Sequence, residues 1–379
     1  MPTARGFQVA GAGLALCVLG VLLGYRGVAL LGALAVLAVA GASLFVLWGR
    51  PSRAAVRRTV PVRRVGAGGA VTVRLSVEGA GRLGPVVLRE RVAATGEERR
   101  ITLAPASSSG SGRPGAAYRL EPSRRGVVEL GPVRVERTDV LGLAAAGAEH
   151  GPADRVCVHP RWRRLRTLPA GRASAPDSTL GSGRAGTLTF RTLRDYAPGD
   201  DIRHIHWRST ARTGRLLTRV YADTSDARLT VLLDDRAVGG RERLDATAEA
   251  AACVAATAVL SRMPCALVLA SGPIVDDRAG LPAMLDLLAA ADPVPGADLA
   301  AALRDLRVRA GGGTVVLVSD ALGESDLRVF AELRGRGSEL VAAAVGPDPR
   351  PGEVPGVALV AATGAAEFGD AWDEAPWRR

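Results

Sequence analysis

The stretch ARLTVLLDD, residues 227–235, is a short apolar run that ends on two acids. It is too brief for a helix and is rich in strand formers, so it reads as a buried β-strand. The segment after it, RLDATAEAAACVAATAVLSRM (243–263), has the composition and length of a helix. The alternation continues. CALVLAS (265–271), GTVVLVSDA (313–321), SELVAAAVG (338–346) and GVALVAA (356–362) read as strands. LPAMLDLLAAA (281–291), ADLAAALRDLRVRA (297–310) and DLRVFAELRGRG (326–337) read as helices. Apolar strands alternating with helices imply a parallel sheet covered on both faces, a doubly wound α/β domain over residues 225–363. Ligand sites in such sheets lie beyond the carboxyl ends of the strands. Asp234 and Asp320 both fall there.

Upstream, residues 51–160 change period. AVTVRLSVEG and RRITLAP alternate apolar and polar positions, and GVVELGPVRVERTD does so with Gly131-Pro132 as an internal break. Period-two segments separated by Gly and Pro predict a small antiparallel β domain, a sandwich. No catalytic constellation stands out in it. Residues 364–379 read as a C-terminal tail, and 161–224 as a linker carrying an unusual polar segment.

The N-terminal 50 residues are of another kind. Residues 7–24 and 27–48 carry no charge, and only Tyr25 and Arg26 separate them. Each run is long enough to cross a bilayer as a helix, and so short a link forces an antiparallel hairpin. Neither run has a polar face, which argues against a soluble core. Arg5 precedes the first span, Arg26 alone lies between the two, and Arg50, Arg53, Arg57, Arg58, Arg63 and Arg64 follow the second. This bias places both ends, and the soluble remainder, in the cytoplasm of a plasma-membrane protein. Cys17, Cys157, Cys253 and Cys265 form no C-x-x-C pair, neither a zinc pattern nor a disulfide framework, and fit a reducing compartment.

Composition excludes more than it assigns. All 49 basic residues are Arg, and the formal net charge is +11. With aromatics at 4%, a nucleic-acid groove with interleaved stacking residues is not expected. The Arg content reads first as compositional bias, with a surface selected for phosphate or anionic lipid as the alternative.

The polar segment RDYAPGDDIRHIHW, residues 194–207, concentrates charge, two histidines and two aromatics. Pro198-Gly199 signals a turn. From 202 onward alternation predicts a strand, with Ile202, His204, His206 and Arg208 on one side and Arg203, Ile205 and Trp207 on the other. Arg194, Arg203 or Arg212 can pair with Asp195, Asp200 or Asp201 as a polar clamp. A metal site from Asp200, His204 and His206 lacks further ligands at suitable spacing. Ser209 and Thr210 lack a nucleophile elbow, and GSGRAGT (181–187) lacks the ending of a phosphate-binding loop.

Two resemblances follow from these residues. The α/β region resembles a von Willebrand factor A domain. That likeness implies a divalent metal on D-x-S-x-S after the first strand and on an Asp after a central strand. Asp234 and Asp320 match the acids, but Arg236 and Val238 stand where the serines belong, so the site is degenerate. The wider chain resembles the domain of unknown function 58 (DUF58) family. The matching positions are Arg194, Tyr196, Pro198, Gly199, Asp200, Arg203, Ile205, Trp207, Thr210, Ala211 and Arg212, together with the upstream RRGVVELGPVRVERTDVLGL (124–143). The family resemblance implies a membrane-anchored adaptor rather than an enzyme, with no cofactor. Its implied partners are the lipid bilayer, a MoxR-type AAA+ ATPase and a client protein. The rival expectation is a metal-dependent hydrolase built on 194–212 with Asp234 and Asp320.

Overall fold

The computed structural model of the protein describes residues 2–48, 55–78, 86–94, 97–103, 106–107, 114–169, 188–197, 205–223, 228–309, 313–336, 339–347, 349 and 352–375. Among these described residues the fold is mixed α+β, with two apolar N-terminal helices and four sheets. The chain divides into two compact units, Met1–His159 and Pro160–Arg379.

The first unit opens with helices α1 (Ala4–Leu22) and α2 (Arg26–Trp48), both long and apolar enough to cross a membrane. They pack along a seam of period seven. Gly6, Gly13 and Gly20 are buried on α1, and Gly32, Val39 and Val46 on α2. A Cβ at Gly32 would lie 2.4 Å from the Cys17 backbone nitrogen, and one at Gly20 the same distance from that of Ala29. Only glycine permits this backbone approach, the usual basis of close helix packing in lipid. The leucines pointing away from the seam are exposed.

Ten strands follow: β1 (Ala55–Thr59), β2 (Arg64–Gly66), β3 (Val71–Glu78), β4 (Val86–Ala94), β5 (Glu97–Leu103), β6 (Ala106–Ser107), β7 (Pro114–Leu120), β8 (Gly126–Thr138), β9 (Ala145–His150) and β10 (Asp154–His159). They form one sheet in the order β1-β3-β7-β6 and a second in the order β2-β10-β8-β4-β5, with β9 also on β8. Val73, Leu75 and Tyr118 from the first sheet share a core with Leu88, Leu130, Val135 and Val156 from the second. Alternation along each strand puts these side chains on the inner faces. Among the described residues every pairing in this unit is antiparallel except β2 with β10. Strand β8 does not break at Gly131-Pro132; it pairs with β4 on both sides of a register shift between Glu90 and Val92. Between the sheets Arg58 donates to the buried Glu90 carboxylate at 2.6 Å and to Asp154 at 2.9 Å.

The second unit contains β11 (Leu188–Asp195) and β12 (Leu217–Asp223), paired antiparallel, with helix α3 (Trp207–Thr213) between them. Its main sheet is built from β13 (Leu229–Leu233), β14 (Cys265–Leu269), β15 (Ile274–Asp276), β16 (Thr314–Ser319), β17 (Glu339–Val345) and β18 (Val357–Ala362), in the order β15-β14-β13-β16-β17-β18. All neighbours are parallel except the edge strand β15. The intervening helices are α4 (Arg241–Leu260), α5 (Leu281–Ala290), α6 (Leu299–Arg309), α7 (Glu324–Ala331) and α8 (Ala365–Asp373). Val231, Leu233, Val316 and Val318 pack with α4, α5 and α8 on one face. Leu232, Val315 and Leu317 pack with α6 and α7 on the other. Burial on both faces explains why these strands are apolar throughout.

Two segments read as connectors belong to this core. In place of a C-terminal tail, α8 buries Phe368 and Trp372 completely. Residues 161–169 lie along α4 and α8 rather than bridging open space. The Leu165 N–H donates to Thr257 Oγ1, Trp372 Nε1 donates to the Thr167 carbonyl, and Leu165 is buried.

Candidate functional site

The strand order reverses between β13 and β16, because β13 connects onward to β14 on one side while β16 leads to β17 on the other. At such a switch point the loops diverge and leave a crevice beyond the strand ends. Asp234 follows β13, and Ser319 and Asp320 end β16, so the topology brings all three together. The Asp234 N–H donates to the Val318 carbonyl at 2.9 Å, which fixes this residue at the carboxyl ends of β13 and β16. Asp234 is 1% exposed.

Asp234, a metal ligand by the A-domain resemblance, has a different partner in the structure. Arg236 turns back on it. The Arg236 backbone N–H and Nε donate to Asp234 Oδ1 at 3.1 and 2.9 Å, and Nη2 donates to Oδ2 at 2.8 Å. Ser319 Oγ donates to the same Oδ2 at 2.7 Å. The second carboxylate on the guanidinium is Asp326, from the first turn of α7, 3.0 Å from Nη2. Hydrogen bonding to Asp234 raises the Arg236 pKa against the opposing effect of burial, and Asp326 adds to it. Planar guanidinium and carboxylate suit this bidentate contact. The loop is strained to achieve it: Ala237 adopts φ +45°, unusual for a residue with a Cβ.

Asp320 takes a separate role. Its Oδ2 accepts the Gly239 N–H at 2.7 Å, just before α4. Its Oδ1 is buried without a hydrogen-bond partner among the described residues. Asp235, the second acid of the pair, has other partners. Its carboxylate accepts the Ser271 N–H at 2.9 Å and the Ser271 hydroxyl, which ties β13 to the turn after β14.

A divalent cation, which the A-domain resemblance implies, does not fit this arrangement. Hard cations take shells of six or more oxygens. Here the Asp234 oxygens are engaged by Arg236 and Ser319, and the positions of the two missing hydroxyls hold Arg236 and the exposed Val238. Among the described residues, no group of three or more His, Cys, Asp or Glu is placed to hold a metal. Arg236 supplies the positive charge instead.

The signature segment folds differently from its alternation. Residues 207–213 form α3, not a continued strand. His206 is the reason: its Nδ1 accepts the Ser209 N–H at 3.2 Å and so caps the helix start. Gly214, at φ +69°, ends the helix with its N–H on the Thr210 carbonyl. Thr210 Oγ1 accepts the Leu217 N–H at 3.1 Å, which ties α3 to β12. Ile205 is buried and bridges to Thr218; Trp207, Ala211 and Arg212 are exposed. Arg194 lies in β11, and the Tyr196 N–H donates to the Leu216 carbonyl. Pro198, Gly199, Asp200, Asp201, Ile202, Arg203 and His204 lie outside the described residues. Sequence reasoning missed Ser319 and Asp326 as partners in the crevice. Ser319 had a signal, its place beside Asp320 at a strand end; Asp326 had none.

One relative is "Uncharacterized protein YeaD" of Bacillus subtilis (strain 168), 27% identical over 121 residues, covering 31% of this chain. The chain spans 30% of the length of that relative. Among solved structures, the chain is similar to the CARDB domain of the PF1109 protein from Pyrococcus furiosus, with 12% identity and a TM-score of 0.17, covering 28% of this chain and 86% of that one. It is also similar to Cwp6 from Clostridium difficile, with 11% identity and a TM-score of 0.20, covering 75% and 36% respectively. Residues 192–371, just under half of the chain, match the family described as "Protein of unknown function DUF58".

Proposed function

We propose that the protein is a membrane-anchored adaptor of the DUF58 type that works through protein contacts rather than by catalysis. The observation that carries this reading is the Arg236–Asp234 pair. A general base needs a free lone pair within reach of a substrate proton. Asp234 accepts three hydrogen bonds from Arg236 and one from Ser319, so it has none to spare. Arg236 neutralises Asp234 from within, which disfavours a hydrolase that uses Asp234 as its base.

The C-terminal unit is, in this proposal, a von Willebrand factor A-like domain. Its strand order and its helices on both faces support that assignment. The two apolar helices anchor it in the plasma membrane, and the Arg excess after α2 favours a cytoplasmic unit. The family resemblance supplies the partner, a MoxR-type AAA+ ATPase that would act with the protein on a client complex. Pull-down of the intact chain from native membranes, with and without ATP, tests this. Recovery of an AAA+ ATPase is expected; its absence while the chain itself is recovered sinks the partnership.

A further inference from the structure

We propose that the turn between β8 and β9, Asp139–Leu143, is a second membrane contact, in which Val140 and Leu141 enter the boundary between lipid headgroups and acyl chains. The inference rests on the reading of α1 and α2 as spans. Turn tips favour Gly, Pro, Asn, Asp and Ser. This one presents two large apolar side chains, Val140 at 86% exposure and Leu141 at 67%.

The turn is braced, so the exposure is built in. Asp139 is buried and accepts from both sides of the turn: the Leu141 N–H on Oδ2 at 2.9 Å and the Ala144 N–H on Oδ1 at 2.6 Å. The Gly142 N–H donates to the Asp139 carbonyl, and Gly142 takes the left-handed conformation at φ +71°. Leu143 is buried. The D-V-L-G-L motif therefore divides its labour. Asp139, Gly142 and Leu143 make the turn, and Val140 and Leu141 point away from it.

The location names the partner. The Thr3 N–H donates to the Leu143 carbonyl at 2.9 Å, and Thr3 Oγ1 donates to the Gly142 carbonyl at 2.6 Å. Thr3 is also the N-cap of α1, so the turn grips the first residues of that helix. Gly6 lies so close that a Cβ there would stand 2.0 Å from the Leu143 oxygen. At the end of β8, the Arg137 guanidinium stacks 4.4 Å from the centroid of Phe45, one turn before α2 ends at Trp48. The tip thus sits where α1 starts and α2 ends, continuous with the exposed apolar surface that begins at Phe7. Arg5, exposed in the first turn of α1, supplies a cation at headgroup level. Apolar side chains beside a cation suit an anionic lipid surface.

Photo-crosslinking of the full chain in vesicles of phosphatidylcholine and phosphatidylglycerol tests this. A benzophenone side chain replaces Val140, Leu31 or Val62, one at a time, and lipid adducts are read by mass spectrometry. Leu31 is exposed on α2. Val62 precedes β2, which pairs through Cys157 with Val127 at the far end of β8, roughly 35 Å from the turn at ~3.3 Å per residue. Lipid adducts at position 140 comparable in yield with those at 31, and absent at 62, are the expected result. Adducts at 31 with none at 140, or protein-only crosslinks at 140, overturn the inference and leave the spans standing. Loss of adducts at 31 itself would refute the membrane reading and this one together.

Discussion

Arg236 is the residue on which the chemistry of the crevice turns. Its partner Asp234 is inaccessible to solvent, while Arg236 itself keeps 23% of its side chain exposed. Removing one member of a buried pair costs about 3–5 kcal/mol, against about 0–1 for an exposed pair. Arg236→Ala is expected at the low end of the first range, about 3 kcal/mol, because water reaches the outer face of the guanidinium. Calorimetry of the full chain in detergent should show a melting transition lowered by several degrees. If the variant melts like the parent, the pair does not stabilise the crevice. A companion variant, Arg236→Ser with Val238→Ser, restores hydroxyls where a hard cation needs them and leaves Asp234 and Asp320 free to ligate. Millimolar magnesium or manganese should raise the melting temperature of this double variant and leave the parent unmoved. A parent stabilised by metal, with the effect lost in Asp234→Ala, contradicts the assignment. The acids at the strand ends were legible from the apolar runs before them, and Arg236 was legible as an intruder. That Asp326 would complete the pair was not, because only the tertiary approach of α7 brings it near.

At the scale of elements, strong periodicity was legible and short capped pieces were not. The buried strands of the main sheet announce themselves as apolar runs, since both faces are covered. Helix α3 has seven residues, too few for a period to show against the alternation that precedes it. Its start depends on His206, which is outside the usual set of capping residues, Ser, Thr, Asp and Asn. Only Gly214, at the stop, was a readable sign. The cap makes a test. His206→Ala should cost about 1 kcal/mol, the usual loss for a cap. Hydrogen exchange should then quicken across residues 207–213 while β13 and β16 stay protected. Unchanged exchange in α3 would mean that packing, not the cap, holds the helix. A similar limit hid the C-terminal helix: Phe368 and Trp372 are spaced for one face of a helix, but the segment around them is short.

For the whole molecule the arrangement of the first unit constrains topology more than charge alone. Helices α1 and α2 form an antiparallel hairpin, so the start of α1 and the end of α2 share one side. Thr3 bonds to the β8–β9 turn and Phe45 meets Arg137, so the sandwich lies on that side in either orientation. Only the sign of the orientation is left to the arginines. Six of them, from Arg50 to Arg64, follow α2 within the distance over which the bias acts, against Arg26 alone in the turn. Arg58 is buried against Glu90 in the folded unit, but on the proposed membrane reading insertion would precede folding, so it is counted with the rest. A fluorescent reporter fused after Arg379, which matures only in the cytoplasm, should therefore be bright, and an exported phosphatase fused there should be inactive. Adding arginines beside Arg26 while replacing Arg50 and Arg53 by Gln should weaken the fluorescence, because it erodes the same imbalance. Phosphatase activity from the unaltered chain would place the sandwich outside the cell and overturn the cytoplasmic orientation. It would leave the hairpin intact, since the contacts of Thr3 and Phe45 do not depend on which leaflet they face.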